Sequence, residues 1–199
     1  MKRRSFMTRM AASAAAFTAA PAVLRAQDNF DAAIRPSNLP EEFLPREVRI
    51  RNDFAPYEIH VDPGQFALYW TLPDNKAIRY AVGIGRPGLY ESGRFYVGAK
   101  KVWPRWTPTV DMIERQPELY KKFEDGMPGG PTNPLGARAL YLFQPGRGDT
   151  FLRIHGTHLP DTIGRRVSNG CARLVNDHVV DLYNRVPMQT KVFLYPVSA

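Results

Sequence analysis

Cysteine is almost missing from this chain: Cys171 stands alone among 199 residues. Nothing in the sequence can therefore form an internal disulfide framework, and no paired cysteines offer a zinc site. Paired metal-ligand patterns are lacking too. His155 and His158 stand three apart, but no HExxH pattern, second cysteine or paired carboxylate completes a centre, so no metal and no cofactor is expected. Long hydrophobic runs are also scarce. The apolar stretch over residues 10–24 is too short and too alanine-rich to span a membrane. There are no internal repeats, and no stacked aromatic and basic motif points to nucleic acid.

The N-terminus lacks charge of one sign. Residues 1–26 contain Lys2, Arg3, Arg4, Arg9 and Arg25 but no acidic residue. Twin arginines ahead of Phe6-Met7, then a weakly apolar alanine-rich stretch and small residues near Ala22 and Ala26, read as a Tat-type export signal over residues 1–26. Cleavage after Ala22 and after Ala26 both fit. Losing these five cations drops the net charge from +8 to about +3. So mild a charge does not demand nucleic acid and suits an anionic polymer such as a bacterial wall. The expected destination is the periplasm, with no membrane span in the mature chain, which is expected to be a monomer.

What is present organises into one domain. Residues 27–46 are polar and broken by Pro36, Pro40 and Pro45, so they read as a linker or wrapping arm. Residues 47–199 form the domain, mainly β with few helices. Strand-like runs cover 47–51, 58–61, 65–72, 76–85, 93–102, 139–143, 150–155 and 191–195, separated by turn chemistry such as Pro63-Gly64 and Pro73-Asp74-Asn75. Residues 103–136 hold six of the eighteen prolines and are expected to cap a substrate groove. Within them 110–123 has helical character that Pro117 interrupts. A second helix is expected after Asn176, read as its N-cap, and Pro187 stops it. His178, in its first turn, is expected at the surface. His60, in a strand, reads as structural.

The lone thiol gains meaning from its neighbours. A leftover cysteine in an exported protein suggests a reactive thiol or an intermolecular bridge, while a buried inert cysteine is the plainer reading. His155 ends a strand-like run and precedes Gly156, and Gly170 precedes Cys171. Both glycines suggest close approach of backbone to a ligand. Amides near Gly170 and Cys171 suit an oxyanion hole. A histidine in reach, with Arg165, Arg166 and Arg173 nearby, is expected to lower the thiol pKa. Asp161, Asp177 or Asp181 could orient the imidazole, and nothing selects one. Thiolate attack on an amide carbonyl follows as the expected chemistry.

These residues closely resemble the L,D-transpeptidase family, whose catalytic domain is called YkuD-like. The likeness rests on His155-Gly156-Thr157, then Ile163-Gly164, then Ser168-Asn169-Gly170-Cys171-Ala172-Arg173-Leu174, with Asn176-Asp177, Leu182-Tyr183 and Val186-Pro187 downstream. Upstream, residues 103–109 and 133–136 resemble longer, Gram-negative-type members. The resemblance implies a mixed β-sandwich-like fold with the cysteine in a groove under a Pro-rich cap. It also implies a substrate, a peptidoglycan stem tetrapeptide cut before its terminal D-alanine. In that reading Cys171 is the nucleophile, His155 the base and Gly156 the carbonyl that orients it. Ser168 steadies the loop, and Thr157, Asn169, Gly170 and Arg173 meet the substrate. Asn169 stands where many members have a histidine, and Gln189 where many turn with glycine. Wall cross-linking is the leading expectation. An L,D-carboxypeptidase or a transferase to a wall-anchored protein's lysine uses the same acyl-enzyme, and a non-catalytic peptidoglycan-binding module is the alternative of another class.

Overall fold

Alternating burial along the strand-like runs builds one large sheet in the computed structural model, which describes residues 30–51 and 53–197. The expected export signal, residues 1–26, lies outside the described residues. The strands are β1 (Arg46–Arg49), β2 (Ile59–Asp62), β3 (Ala67–Leu72), β4 (Lys76–Ala81), β5 (Ile84–Gly85) and β6 (Gly93–Val102). After the proline-rich segment come β7 (Arg138–Gln144), β8 (Gly148–Thr157), β9 (Arg166–Ser168), β10 (Ala172–Val175) and β11 (Lys191–Leu194). Nine of them form a mixed sheet in the order β1-β4-β3-β2-β11-β6-β7-β8-β10, and β5 pairs with β9 apart from it. The described residues include the α-helices α1 (Val110–Arg115), α2 (Pro117–Tyr120) and α3 (Asn176–Arg185).

One face of the curled sheet holds the core. Side chains from β2, β3 and β4 meet those of β6, β7, β8, β10 and α3 in a single cluster that includes Ile59, Leu68, Tyr80, Leu140, Ile154 and Leu182. Burying one such aliphatic side chain contributes about 1.5–3 kcal/mol. A surface ion pair such as Lys76–Glu47 contributes about 0–1 kcal/mol. The apolar face therefore sets the curl.

Within the nine-stranded sheet two pairings are parallel, β11 with β2 and β10 with β8. Parallel neighbours cannot be joined by a hairpin and need a crossover. Between β8 and β10 that crossover is residues 158–171, which carries β9 and ends at Cys171.

Three local expectations change. The run 76–85 does not stay one strand. Gly83 leaves the sheet to exchange both backbone bonds with Arg173, at 2.9 and 2.8 Å, and a Cβ there would lie 2.4 Å from the Thr162 carbonyl. Asn176 is not an N-cap. Val175 occupies that position, and Asn176 Oδ1 instead accepts from Ala137 N–H at 2.9 Å, tying α3 to the start of β7. His178 is buried rather than at the surface, because the N-terminal arm covers it: Ser37 N–H donates to Asp177 Oδ2 at 2.8 Å, and Ser37 Oγ lies 3.4 Å from His178 Nε2.

The same arm grips the base of the proline-rich segment. Phe30 packs edge-on against Trp103, whose indole N–H donates to Asp31 at 2.8 Å. Asp31 also takes a bidentate contact from Arg138, which holds its carboxyl below the usual range. Further along, Leu39 and Phe43 pack on Ala81, Ile163 and Val175. Pro117 begins α2, at a position where a missing N–H costs little.

Removing Asp31 leaves the buried Arg138 guanidinium without its counter-charge. Asp31→Ala is expected to cost about 1–3 kcal/mol, less than a fully buried pair because Asp31 is part exposed. Urea unfolding measures it as a lower midpoint with unchanged slope. An unshifted midpoint would mean that the arm is not anchored there.

Candidate active site

Strand alternation assembles the site. In β8, Leu152 and Ile154 enter the core, so Arg153 and His155 face the other way. In the parallel register Arg173 lies beside His155. Cys171, two residues before Arg173, falls on the same face by the period of two. The thiol thus stands immediately before β10 and the imidazole on its neighbour β8, and such strands are about 4.8 Å apart.

His155 is buried, with Nδ1 2.6 Å from the Gly156 carbonyl. A carbonyl only accepts, so Nδ1 carries the proton and Nε2 keeps its lone pair. Among the described residues no carboxylate orients this ring. Asp177 bonds Ser37, and Asp181 holds Tyr80 and Arg185. Burial pushes the imidazole down to about 3; the Arg173 charge adds to this, the Gly156 bond opposes it, and Arg153 also lowers it.

The half-buried Cys171 departs from expectation. Burial pushes its thiol up, and only in part do the Arg153 backbone and the charges of Arg153 and Arg173 pull it back. Arg165 and Arg166 do not act on it. The resting pair is a neutral thiol and a neutral imidazole. Such a pair forms its nucleophile by transferring the proton as the sulfur attacks.

The other expected residues divide by what they touch. Ser168 is buried, donating its hydroxyl to the Cys171 carbonyl at 2.6 Å and accepting from Gly170 N–H at 3.3 Å. It pins the loop. Gly170 has φ +118°, and a Cβ there would lie 2.8 Å from the Leu89 carbonyl. Around Gly156 the crowding comes from Asn176 and Ala137. Both glycines thus admit neighbouring protein atoms rather than a ligand. Thr157 is buried, its hydroxyl accepting from Leu159 N–H at 3.1 Å within its own loop. Asn169 and Arg173 are half-buried, and His158 faces solvent.

Several residues of the site were missed in the sequence. Arg153 lies two before His155, so alternation alone could have found it. Phe151, two further back, has φ +61° and a ring 68 % exposed. Such a backbone costs an L-residue roughly 1–2 kcal/mol. Asp149 secures it, accepting from Phe151 N–H at 2.9 Å and pairing with Arg153. The result brings the Phe151 carbonyl to 4.0 Å from the Cys171 sulfur. Arg86, Arg115 and Tyr120 also reach the Cys171 loop through Asn169, and Gln116 does so by way of Arg86. They come from distant sequence and carried no signal.

Comparison with known proteins fits this arrangement. A family model described as the L,D-transpeptidase catalytic domain, YkuD, matches residues 56–194. The chain belongs to this family. The probable L,D-transpeptidase ErfK/SrfK of Escherichia coli (strain K12) is 36% identical over 67% of this chain, which spans 42% of that relative. A crystal structure from Brucella melitensis, named for a probable carnitine operon oxidoreductase, is 44% identical, covering 81% of this chain and 96% of its own at TM-score 0.54. A cysteine-to-serine mutant of the Enterococcus faecium L,D-transpeptidase shares the fold at 16% identity and TM-score 0.53, over 71% of this chain and 50% of its own.

In this YkuD domain the buried imidazole also links stability to pH. An unfolded histidine titrates near 6.5, whereas folded His155 titrates near 3. The unfolded chain therefore binds the proton first, and stability falls as pH drops below about 6.5. His60 and His178, both lowered by burial, act in the same direction. His155 alone should cost about 2 kcal/mol on going from pH 8 to pH 5. Urea midpoints at the two pH values test this. The difference should shrink by that amount in His155→Gln; an equal difference in both proteins would place the acid sensitivity elsewhere.

Proposed function

We propose that this chain is an exported cysteine L,D-transpeptidase acting on peptidoglycan stem peptides. Residues 1–26 would be its Tat-type signal, 27–46 an arm, and 47–199 the catalytic domain capped by residues 103–136, working in the periplasm. One observation carries the catalytic reading. The Nδ1–H bond to the Gly156 carbonyl leaves a neutral Nε2 on the same sheet face as the chain's only thiol.

The reaction follows from those groups. As the Cys171 sulfur attacks the carbonyl before the terminal D-alanine, His155 Nε2 takes the thiol proton. The Gly170 amide is engaged by Ser168, so the Cys171 N–H is the amide of this turn proposed to face the oxyanion. Collapse of the tetrahedral intermediate breaks the C–N bond. The imidazolium returns its proton to the leaving amine, D-alanine departs, and a thioester remains on sulfur. An acceptor amine, deprotonated by the regenerated imidazole, then attacks the thioester, and the new amide forms as the thiol is restored. A neutral resting pair suits this cycle, because charge develops only in the transition state.

Disaccharide-tetrapeptide incubated with the purified protein should release D-alanine, yield a cross-linked dimer and give a transient adduct on Cys171 by intact mass. Release of D-alanine without dimer would reassign the acceptor to water. Binding without release of D-alanine would leave a wall-binding module. Cys171→Ala should fold normally and show no turnover, and turnover in that variant would eliminate the mechanism. His155→Ala should slow acylation by on the order of 10²–10⁴-fold; a wild-type rate would move the base elsewhere.

A further inference from the structure

Beside the thiol, three arginines have gathered without an acid. Arg86, just after β5, lies with Nη2 2.8 Å from Asn169 Oδ1 and 3.1 Å from Gln116 Oε1. Arg115, the last residue of α1, donates to the same Asn169 oxygen at 3.1 Å. Arg173, on the face it shares with Cys171 and His155, feels the charges of Cys171 and of Tyr120, whose hydroxyl accepts from Asn169. Among the described residues none of the three forms an ion pair. The Nε atoms of Arg86 and Arg173 are buried and have no hydrogen-bond partner.

An unneutralised cluster of this kind opposes its own assembly, since like charges repel in a part-desolvated site. Asn169 relieves the geometry but not the charge. Its neutral amide oxygen accepts from two guanidinium groups, while its Nδ2 donates to the Tyr120 hydroxyl at 2.9 Å. An aspartate would have closed the cluster by itself. With an amide there, positive potential stays directed at whatever approaches Asn169 from the side of α1 and α2. Planar guanidinium forks match carboxylates in two-point hydrogen bonds.

We infer that Arg86, Arg115 and Arg173, organised around Asn169, form a cradle that recognises a free carboxylate of the donor peptide. This rests on the transpeptidase reading and sharpens it: the enzyme would select donors by an anionic group near the scissile bond. Two groups of a stem tetrapeptide carry that chemistry, the side-chain carboxylate of a diacid third residue and the terminal carboxylate of the departing D-amino acid. Asn169 acts as a positioning residue, joining both cap helices to the loop.

Three synthetic tetrapeptides decide the matter: the free acid, one amidated on the third residue's side chain, and one amidated at the C-terminus. Affinity is read on Cys171→Ala, which cannot turn over, and acylation on the unmodified enzyme. One of the amidated peptides should bind and acylate about 10–100-fold more weakly than the free acid, and which one it is names the carboxylate. Arg115→Gln, at an exposed position, should erase most of that difference. Asn169→Asp should do the same by placing a carboxylate inside the cradle. Equal affinity for all three peptides, or no measurable binding of any, would overturn the cradle. So would preferences left intact in Arg115→Gln and Asn169→Asp. Absence of acylation alongside discriminating affinity would instead overturn the proposed reaction and leave the cradle standing.

Discussion

The parallel register of β10 on β8 is the constraint on which this site depends. It sets Arg173 against His155 and, by alternation, brings Cys171 to the same face. A slip of one residue would turn Cys171 and Arg173 into the core and bring Ala172 and Leu174 out. Burial guards against that slip, because Ala172 and Leu174 lie in the main core cluster. The register is held on its outer side as well: Gly83 exchanges two backbone bonds with Arg173, and only a residue without a Cβ can come so close to the Thr162 carbonyl. Packing and backbone pairing thus specify chemistry that neither performs.

The same burial decides the charge state. Arg153 and Arg173 favour the thiolate, yet desolvation acts on Cys171 more strongly and in the opposite direction. For His155 the two influences add, since both burial and the neighbouring arginines disfavour a second proton. An ion pair at rest would need an imidazolium packed beside two guanidiniums. The fold instead supplies a fixed tautomer, set by one backbone carbonyl, and leaves charge separation to the moment when substrate is present. Phe151 belongs to this arrangement. Its left-handed backbone, secured by Asp149, brings a carbonyl toward the sulfur, and a strained residue beside a nucleophile persists only where the surroundings hold it.

Much of this was legible in the chain, for physical reasons that also explain what was not. The run 93–102 matched β6 residue for residue, because its alternation and flanking turns are local signals. Pro117 split its helix where the missing N–H and the ring require it to. Cys171 and His155 stand out in the chain because each is a reactive residue next to a glycine. The errors came from tertiary contacts. Asn176 has the composition of a cap, but a backbone amide from β7 claims its oxygen. His178 was taken for a surface group because nothing local shows that Ser37, 141 positions earlier, lies over it. The sign of the Cys171 shift needs desolvation, which arises from packing and has no signature in the local sequence.

The proline-rich segment shows how far such distant contacts reach. Its first residue, Trp103, is clamped by Phe30 and Asp31 of the arm, and its helices end on Asn169 through Arg115, Gln116 by way of Arg86, and Tyr120. A segment held only at its base would pivot; one held also at the Asn169 loop shares that loop's position. Asn169 suits this double duty in a way that a histidine would not. One neutral imidazole nitrogen can accept, and it offers a single lone pair in the ring plane. The amide oxygen offers two, enough for both guanidinium groups, and its nitrogen remains for Tyr120. The amide therefore ties the helices of residues 103–136 to the Cys171 loop, while His155 and its carbonyl partner are untouched.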